Sequence, residues 1–295
     1  MKENSVRSWL LAARPKTLTT AVIPIGVGTA AAHAIHHQSC IVLSVFAFLS
    51  ALFIQIGTNL INDAFDFKKG ADTAARVGPQ RVTQSGLLSE KSVWWGGIAC
   101  FGISVLFALP LVWVGGWPII WTGVLSLAAG YAYTGGPFPL AYLGLGDLFV
   151  IFFFGWVAVG GVYFLHTGTL DFPVWVAGLQ VGLLATVLIA INNLRDSLTD
   201  LQANKLTLAV RFGPTFARVE LTFLCLTPFV LGWYWMDYGL KWAFILPLAV
   251  FPLALFLLLN LYRFGPGVIY NRFLGQGALL HLGFGILLSL GLVLK

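Results

Sequence analysis

Two clusters of carboxylate and amide side chains follow directly on long apolar runs of this sequence. One cluster is spaced i, i+4, i+7 and the other i, i+4, i+8, so each would lie on one helix face if the helix continues past the apolar run. The members are Asn59, Asp63 and Asp66 in the first cluster, and Asn192, Asp196 and Asp200 in the second. Oxygen ligands of this kind suit a hard cation such as Mg²⁺. We therefore expect the four aspartates to form one metal site.

Basic side chains come after each acidic cluster. They are Lys68, Lys69, Arg76 and Arg81 after the first cluster, and Arg195, Lys205 and Arg211 in and after the second. Mg²⁺ is commonly held by one or two carboxylates together with substrate phosphates, and arginine binds phosphate oxygens in a bidentate fashion. Acids for a metal beside bases for an anion predict a metal–diphosphate site. A simpler interpretation stays open for each cluster alone, because aspartate often caps a helix and juxtamembrane cations often only set topology.

The composition places these clusters in an integral membrane protein. The chain has 295 residues, of which 58% are hydrophobic and only 9% are charged, whereas soluble domains carry about 25% charged residues. The net charge of +6 would suggest a nucleic-acid partner in a soluble protein, but membrane topology explains it here, so no nucleic acid is expected. A diphosphate site beside so much apolar chain favours a substrate with a long hydrocarbon tail, such as a polyprenyl diphosphate.

The apolar runs predict an all-α protein with nine transmembrane helices around a central cavity. Their centres lie near Gly26, Ala51, Gly102, Leu125, Gly155, Gly182, Cys225, Val250 and Gly285. With the N-terminus in the cytoplasm, this count puts all of the 17 lysines and arginines except Lys241 and Lys295 on the cytoplasmic side. The C-terminus would lie outside. The polar loops 61–92 and 194–217, after the second and sixth helices, would form a cytosolic cap over the cavity.

The two polar loops also resemble each other. In both clusters the asparagine precedes the first aspartate by four residues, and RVGP at 76–79 matches RFGP at 211–214 farther on. Two blocks of four helices, at roughly 10–135 and 145–265 and followed by a ninth helix, would explain the match. We therefore expect one membrane domain over residues 1–295, with a weak internal repeat.

Four segments resemble the UbiA superfamily of intramembrane aromatic prenyltransferases. They are ARPKTL (Ala13 to Leu18), GTNLINDAFDFKKGADTAARVGPQR (Gly57 to Arg81), YTGGPFPLAYLGLGD (Tyr133 to Asp147) and NNLRDSLTDLQANKLTLAVRFG (Asn192 to Gly213). The resemblance covers nearly the whole chain. It implies nine spanning helices, with aspartate-rich cytosolic motifs after the second and sixth. Within the superfamily these segments are most similar to the branch that acts on 1,4-dihydroxy-2-naphthoate.

The resemblance also implies roles for individual residues. The four aspartates would hold Mg²⁺, and Asn59 and Asn192 would complete the catalytic set. The residues expected to contact substrate are Asp72, Arg76, Arg81, Tyr133, Asp147, Arg195, Lys205 and Arg211. Arg81 or Lys205 would orient the carboxylate of the acceptor. Asp147 would either polarise a ring hydroxyl or cap the next helix.

The chain departs from the superfamily pattern at three points. The first motif commonly has its second aspartate four residues after the first, but Phe67 stands there, so either Asp66 or Asp72 would be the second ligand. A common Tyr-x-x-x-Lys element has no lysine in the corresponding connection. The second motif has Asn204 where glycine is common in the naphthoate branch, and asparagine also tolerates a left-handed turn.

The expected function is Mg²⁺-dependent transfer of a polyprenyl group to dihydroxynaphthoate, with loss of CO₂ and diphosphate. The product would be demethylmenaquinone, or demethylphylloquinone if the donor is phytyl diphosphate. The expected location is the lipid bilayer of the inner or plasma membrane. Two alternatives stay open: another aromatic acceptor, such as hydroxybenzoate or homogentisate, and a membrane transporter. The transporter is disfavoured because the ionisable residues gather at one interface.

Overall fold

The long apolar runs of the chain form helices, because backbone groups in lipid have no water and must hydrogen-bond within the segment. The computed structural model describes residues 5–72 and 77–294, and the regular structure throughout these ranges is helical. We number the helices α1 (Val6–Ala13), α2 (Thr19–His36), α3 (Ile41–Lys68), α4 (Glu90–Ala132), α5 (Gly146–Thr167), α6 (Phe172–Arg195), α7 (Ser197–Gln202), α8 (Leu208–Asp237), α9 (Lys241–Arg263) and α10 (Tyr270–Leu294).

Within the described ranges, seven of these helices are long and apolar enough to cross a membrane. The segment from α1 through α2, bent by 49°, would add an eighth. The protein is therefore an all-helical integral membrane protein. All of the predicted span centres lie in helices, but two of them, Gly102 and Leu125, share α4.

The helix α4 is interrupted at Gly116, whose φ of 60° and ψ of −146° lie outside the helical region. Phe101 and Gly130 lie on opposite sides of this break, yet a Cβ added to Gly130 would be 3.6 Å from the Phe101 ring. A straight helix would place these two residues ~40 Å apart. The two halves of α4 therefore pack side by side. The count of nine crossings and the cytosolic side of the loops stay predictions.

The helix α6, which leads into the second acidic cluster, is the most enclosed of the described spans. Of its most apolar stretch, 83% is buried inside the protein, against 22% for α3, which carries the first cluster. Other helices surround α6, whereas one side of α3 faces outward. The second cluster thus extends from a rigid central support.

Close contact between α5 and α6 depends on glycine. A Cβ on Gly182 would lie 2.6 Å from the carbonyl oxygen of Ile151, and one on Gly155 would lie 2.4 Å from that of Gly178. The stretch Ile151–Val157 of α5 is wound as a π-helix at this contact. Small residues let membrane helices approach until their backbones touch. Phe153 and Phe154, from the same stretch, line the central cavity.

We expect Gly182→Ala to destabilise the protein, because the new Cβ would meet a backbone carbonyl that cannot rotate away. Overpacking of this kind costs about 1–3 kcal/mol. The thermal unfolding midpoint in detergent should fall. Gly275→Ala is the matched control, because nothing lies within 4 Å of a Cβ at this position in α10. Equal midpoints for the two variants would contradict the close α5–α6 contact.

Candidate active site

A cavity of about 540 Å³ lies between the polar ends of α3 and α6. Its apolar part is lined by small and aromatic side chains, among them Ala51, Ala129, Phe149, Phe153, Phe154, Ala158 and Ala185. Its polar part is lined by Arg14, Lys16, Asn59, Asp63, Asp66, Arg81, Tyr133, Asn192, Asn193, Arg195, Asp196 and Lys205. The fold therefore brings most of the sequence-predicted residues of both clusters to one chamber.

The first cluster lies on a single helix face, as predicted. The helix α3 continues through Lys68, past the end of the apolar run, so Asn59, Asp63 and Asp66 all reach the cavity. The carboxylate of Asp63 accepts a hydrogen bond of 3.2 Å from the backbone N–H of Thr83. This bond connects α3 to the loop that precedes α4.

Asp66, rather than Asp72, faces the cavity. Its Oδ1 accepts a 3.0 Å hydrogen bond from the Tyr142 hydroxyl, and its Oδ2 lies 3.8 Å from Nη2 of Arg81. Asp72 is not among the lining residues, and its Oδ2 lies 3.3 Å from Nε of Arg81. Arg81 is thus held between two carboxylates. This arrangement favours Asp66 as a metal ligand and Asp72 as the residue that positions Arg81.

Tyr142 joins the two acidic motifs. Besides its bond to Asp66, its backbone carbonyl accepts a 3.1 Å hydrogen bond from the N–H of Leu206, in the loop of the second motif. The Lys69 ammonium lies 4.4 Å from the centre of the Tyr142 ring and donates to the Thr134 carbonyl at 2.6 Å. Burial, and then the charge of Asp66, raise the pKa of Tyr142, so its phenol stays protonated and donates. The connection between α4 and α5 has no lysine of its own, and Lys69, which directly follows α3, contacts it instead.

The second cluster departs from the prediction of one continuous helix face. The helix α6 ends at Arg195, Asp196 has φ of −94° and ψ of 7°, and α7 begins at Ser197. Asn192 and Asp196 line the cavity, whereas Asp200, on α7, is buried and is not among the lining residues. The prediction that all three residues share one face of the sixth span is therefore wrong, because this span ends before Asp196.

Each acid of the second cluster has a cationic partner. The guanidinium of Arg195 donates two hydrogen bonds to the Asp196 carboxylate, at 2.8 and 2.7 Å. The Lys205 ammonium donates to Asp200 at 3.3 Å. Asn204, just before Lys205, has φ of 53°, which confirms the left-handed turn that asparagine was expected to accept.

Arg195 also connects three parts of the fold. Its Nη1 donates a 2.8 Å hydrogen bond to Oδ1 of Asn271 at the start of α10, and Asn271 donates a 3.1 Å bond to the carbonyl of Val77. The side chain of Arg195 is only 1% exposed. No role for Asn271 was predicted from the sequence, although a polar amide at the beginning of an apolar helix could have indicated a contact with the site.

The remaining residues predicted to contact substrate differ in where they lie relative to the cavity. Tyr133 lines the cavity, and Asp147 is buried beside it with a 3.4 Å hydrogen bond from Asn193. Arg211 is exposed and donates to the carbonyls of Leu206 and Leu143 at 3.0 and 3.2 Å, so it holds two loops together. Arg76 lies outside the described residues.

Asn59 makes contacts that its motif did not predict. Its Nδ2 donates to the Ala13 carbonyl at 2.9 Å and to the Thr17 hydroxyl at 3.3 Å. These bonds hold the turn between α1 and α2 against the first motif. Two cations of this turn, Arg14 and Lys16, line the cavity. The sequence interpretation had assigned them no role in the site.

Comparison with known proteins decides the family. Residues 21–269 match the UbiA prenyltransferase family. The chain belongs to this family. Over its whole length it is 32% identical to the 1,4-dihydroxy-2-naphthoate octaprenyltransferase of Haemophilus influenzae, 98% of which is covered. It is 39% identical over 72% of its length to the Escherichia coli protein of the same name, 70% of which is covered. It is an enzyme, a prenyltransferase.

Solved structures share the UbiA fold. A UbiA homolog from Aeropyrum pernix K1 aligns with a TM-score of 0.70 at 14% identity, covering 93% of this chain and 97% of that one. A homolog from Archaeoglobus fulgidus bound to GPP and Mg²⁺ aligns with a TM-score of 0.62 at 18% identity, covering 96% and 99%. At these identities the likeness establishes the fold.

The carboxylate side chains that line the cavity of this UbiA protein fit a magnesium ion. Among the described residues there is no ready-made group of three or more His, Cys, Asp or Glu side chains. Mg²⁺ does not require one, because it commonly combines one or two carboxylates with substrate phosphates and water. Asp63, Asp66 and Asp196 line the same cavity and are each at most 5% exposed. Buried carboxylates that open onto one chamber suit a hard cation accompanied by a phosphorylated substrate.

We expect Asn59→Asp to lower activity by about tenfold or more, because a carboxylate cannot donate to the Ala13 carbonyl. The Mg²⁺ dependence should show no loss of apparent metal affinity, since a carboxylate oxygen is at least as good a ligand. Steady-state prenyl transfer with a Mg²⁺ titration measures both quantities.

The matched control for this variant is Asn260→Asp. The amide of Asn260 also donates to a backbone carbonyl, that of Phe256 at 2.9 Å, but it lies outside the cavity. We expect nearly unchanged activity there. Full activity in Asn59→Asp would show that the contacts to the α1–α2 turn are dispensable.

Proposed function

We propose that this protein transfers a polyprenyl group from polyprenyl diphosphate to 1,4-dihydroxy-2-naphthoate, with loss of CO₂ and diphosphate. The observation that carries the proposal is the pairing of buried acids and cations from two motifs at one end of an apolar cavity. The names of the relatives support the naphthoate acceptor and the menaquinone pathway. The homolog bound to GPP and Mg²⁺ supports a prenyl diphosphate donor and a divalent metal.

The donor would bind with its diphosphate between the two motifs. Asp63, Asp66 and Asp196 would hold Mg²⁺, with Asp200 behind them. The bound ion would neutralise charge that develops on the departing diphosphate. Arg81, Arg195 and Lys205 stand beside these carboxylates, so each could shift part of its contact onto phosphate oxygens. Preorganised cations of this kind stabilise a transition state in which the C1–O bond breaks.

The apolar part of the cavity would receive the first isoprene units. Phe149 and Phe153 stack there, with ring centres 5.7 Å apart. Apolar and aromatic walls keep water from the allylic cation, and aromatic faces also attract positive charge. A carbon of the electron-rich naphthoate ring forms the new bond to C1. The carboxylate leaves as CO₂ and its electron pair stays on the ring, so the net reaction needs no added proton.

The test is an assay of purified protein with dihydroxynaphthoate and a series of prenyl diphosphates, with products identified by mass spectrometry. We expect prenylated, decarboxylated product only with Mg²⁺. Asp63→Asn and Asp196→Asn should each lower diphosphate release about 100-fold or more. Asp237→Asn, at an exposed carboxylate that ends α8, is the matched control and should stay active.

Parallel reactions with 4-hydroxybenzoate and homogentisate separate this proposal from its alternatives. Transfer to one of these acceptors but not to dihydroxynaphthoate would overturn the proposal that dihydroxynaphthoate is the acceptor. Full activity in both aspartate variants would overturn the role of the two motifs.

We further propose nine membrane crossings as two related blocks, 10–135 and 145–265, and a ninth helix, with the active-site loops in the cytoplasm as a cap. The side-by-side halves of α4 support nine crossings, since they make α4 a hairpin. In this topology the connection at Cys40 and the turn at Gly116 both lie outside the inner or plasma membrane, as does the C-terminus.

A membrane-impermeant maleimide should therefore label exposed Cys40 in intact cells. In a background without native cysteine, Trp117→Cys should also be labelled from outside. Ser85→Cys, in the loop before α4, should react only after permeabilisation. Labelling of Cys40 and Trp117→Cys from opposite sides would exclude the α4 hairpin as two crossings.

A further inference from the structure

The backbone of Arg14 adopts a conformation that this residue disfavours. Its φ of 54° and ψ of 67° lie in the left-handed region, where a side chain with a Cβ is crowded. Pro15 follows directly, and the residue before proline is normally extended. Strained positions of this kind persist where the surroundings fix them, and they concentrate at functional sites.

Backbone and side-chain hydrogen bonds fix this turn. The Arg14 N–H donates to the Leu11 carbonyl at 3.2 Å, and the N–H and the hydroxyl of Thr17 both donate to the Arg14 carbonyl, at 2.9 and 3.0 Å. Two more come from Nδ2 of Asn59, to the Ala13 carbonyl and to the Thr17 hydroxyl. A residue of the first metal motif therefore determines where Arg14 stands.

The turn directs a cation into the cavity, beside Asn59 of the first motif. Arg14 lines the cavity, and its Nη2 lies 3.5 Å from the Asn59 carbonyl. Asn59 is one helical turn before Asp63 on α3, which is ~6 Å along the helix axis on the side of the apolar run. The Arg14 guanidinium thus lies beside the end of the first motif that is nearer the apolar run.

Three of the other cations that line the cavity stand beside the acids of the two motifs. Arg81, Arg195 and Lys205 form ion pairs with the acids of the two motifs, at the level of the diphosphate. The reacting C1 atom of the donor lies on the tail side of its diphosphate. An acceptor ring that reaches C1 must therefore lie on the apolar side of the acids, toward the end of the first motif where Arg14 contacts Asn59.

Tyr133 lines the same cavity. Its hydroxyl fits against Gly146, where an added Cβ would lie only 2.8 Å from the oxygen. Burial, followed by the charge of Asp147, raises the pKa of Tyr133, and the opposite influence of Arg14 is smaller. The phenol is therefore a protonated hydrogen-bond donor that shares the cavity with the Arg14 guanidinium.

We propose that Arg14 binds the carboxylate of the aromatic acceptor, with Tyr133 as a second donor to the acceptor and Thr17 as a positioning residue. This assignment rests on the proposed function. A guanidinium binds a carboxylate in a bidentate fashion, which would fix the ring as well as attract it. It differs from the sequence expectation, which gave this role to Arg81 or Lys205.

The test compares two ligands that differ only in the carboxylate. The KM for 1,4-dihydroxy-2-naphthoate and the inhibition constant of 1,4-dihydroxynaphthalene are measured for wild type and Arg14→Gln. We expect the KM to rise about 10- to 100-fold, the loss typical of a charge-assisted hydrogen bond. The inhibition constant and the KM for prenyl diphosphate should change by less than about threefold, because neither ligand has the carboxylate.

Arg7→Gln is the matched control, because Arg7 is an exposed arginine on α1 outside the cavity. Thr17→Val should raise the same KM, and Thr17→Ser should restore it, since serine keeps the hydroxyl. If Arg14→Gln does not yield folded protein, Arg14→Lys and the Thr17 pair still report the selective change in KM.

Three outcomes would overturn the assignment. An equal weakening of dihydroxynaphthoate and dihydroxynaphthalene would show that Arg14 supports the site without contacting the carboxylate. A change confined to the KM for prenyl diphosphate would assign Arg14 to the diphosphate. Absence of naphthoate prenylation in wild type would overturn the proposed function itself, and this assignment with it.

Discussion

The cost of burying charge governs this structure. A carboxylate removed from water beneath a membrane surface is stable only if charge or hydrogen bonds compensate it. Asp66 has Tyr142 and Arg81, Asp196 has Arg195, Asp200 has Lys205, and Asp63 has the N–H of Thr83. The connecting loops supply all of these partners except Arg195, which is the last residue of α6. Binding of a metal and a diphosphate would therefore exchange one set of counter-charges for another, and would not fill an uncompensated site.

Rigid packing of the helices fixes the position of the two acidic motifs, where this exchange of counter-charges would occur. The helix α6 is enclosed by its neighbours, and its glycine contact with α5 leaves no space for movement between the two backbones. The helix α3 is less enclosed, but Asn59 ties it to the α1–α2 turn, and Thr83 ties it to the loop before α4. Asn271 adds a bridge from α10 to Arg195 and Val77. The two halves of the site are thus held by contacts between segments far apart in sequence.

Because the site depends on contacts between segments far apart in sequence, only part of it could be predicted from the sequence. The helices and the membrane class follow from apolar runs, because lipid leaves the backbone no alternative to helix. The common face of Asn59, Asp63 and Asp66 follows from helical spacing, since α3 continues past its apolar run. The break at Asp196 could not be predicted, because a change of φ and ψ at one residue leaves little signal in the local sequence. The contacts of Asn271 and Arg14 could not be predicted either, since their partners are fixed only by the tertiary fold.

Asn59 shows why a motif understood only as metal ligands is incomplete. A carboxylate can only accept hydrogen bonds, whereas an amide has a nitrogen that donates and an oxygen that accepts. The nitrogen of Asn59 holds the turn of Arg14, and the oxygen remains chemically suited to a metal or its water. One side chain can therefore connect the level of the diphosphate to the level of the acceptor ring. This accounts for an amide at the deepest position of the first motif, where the chain must bind the α1–α2 turn, and for acids in the two positions nearer the surface.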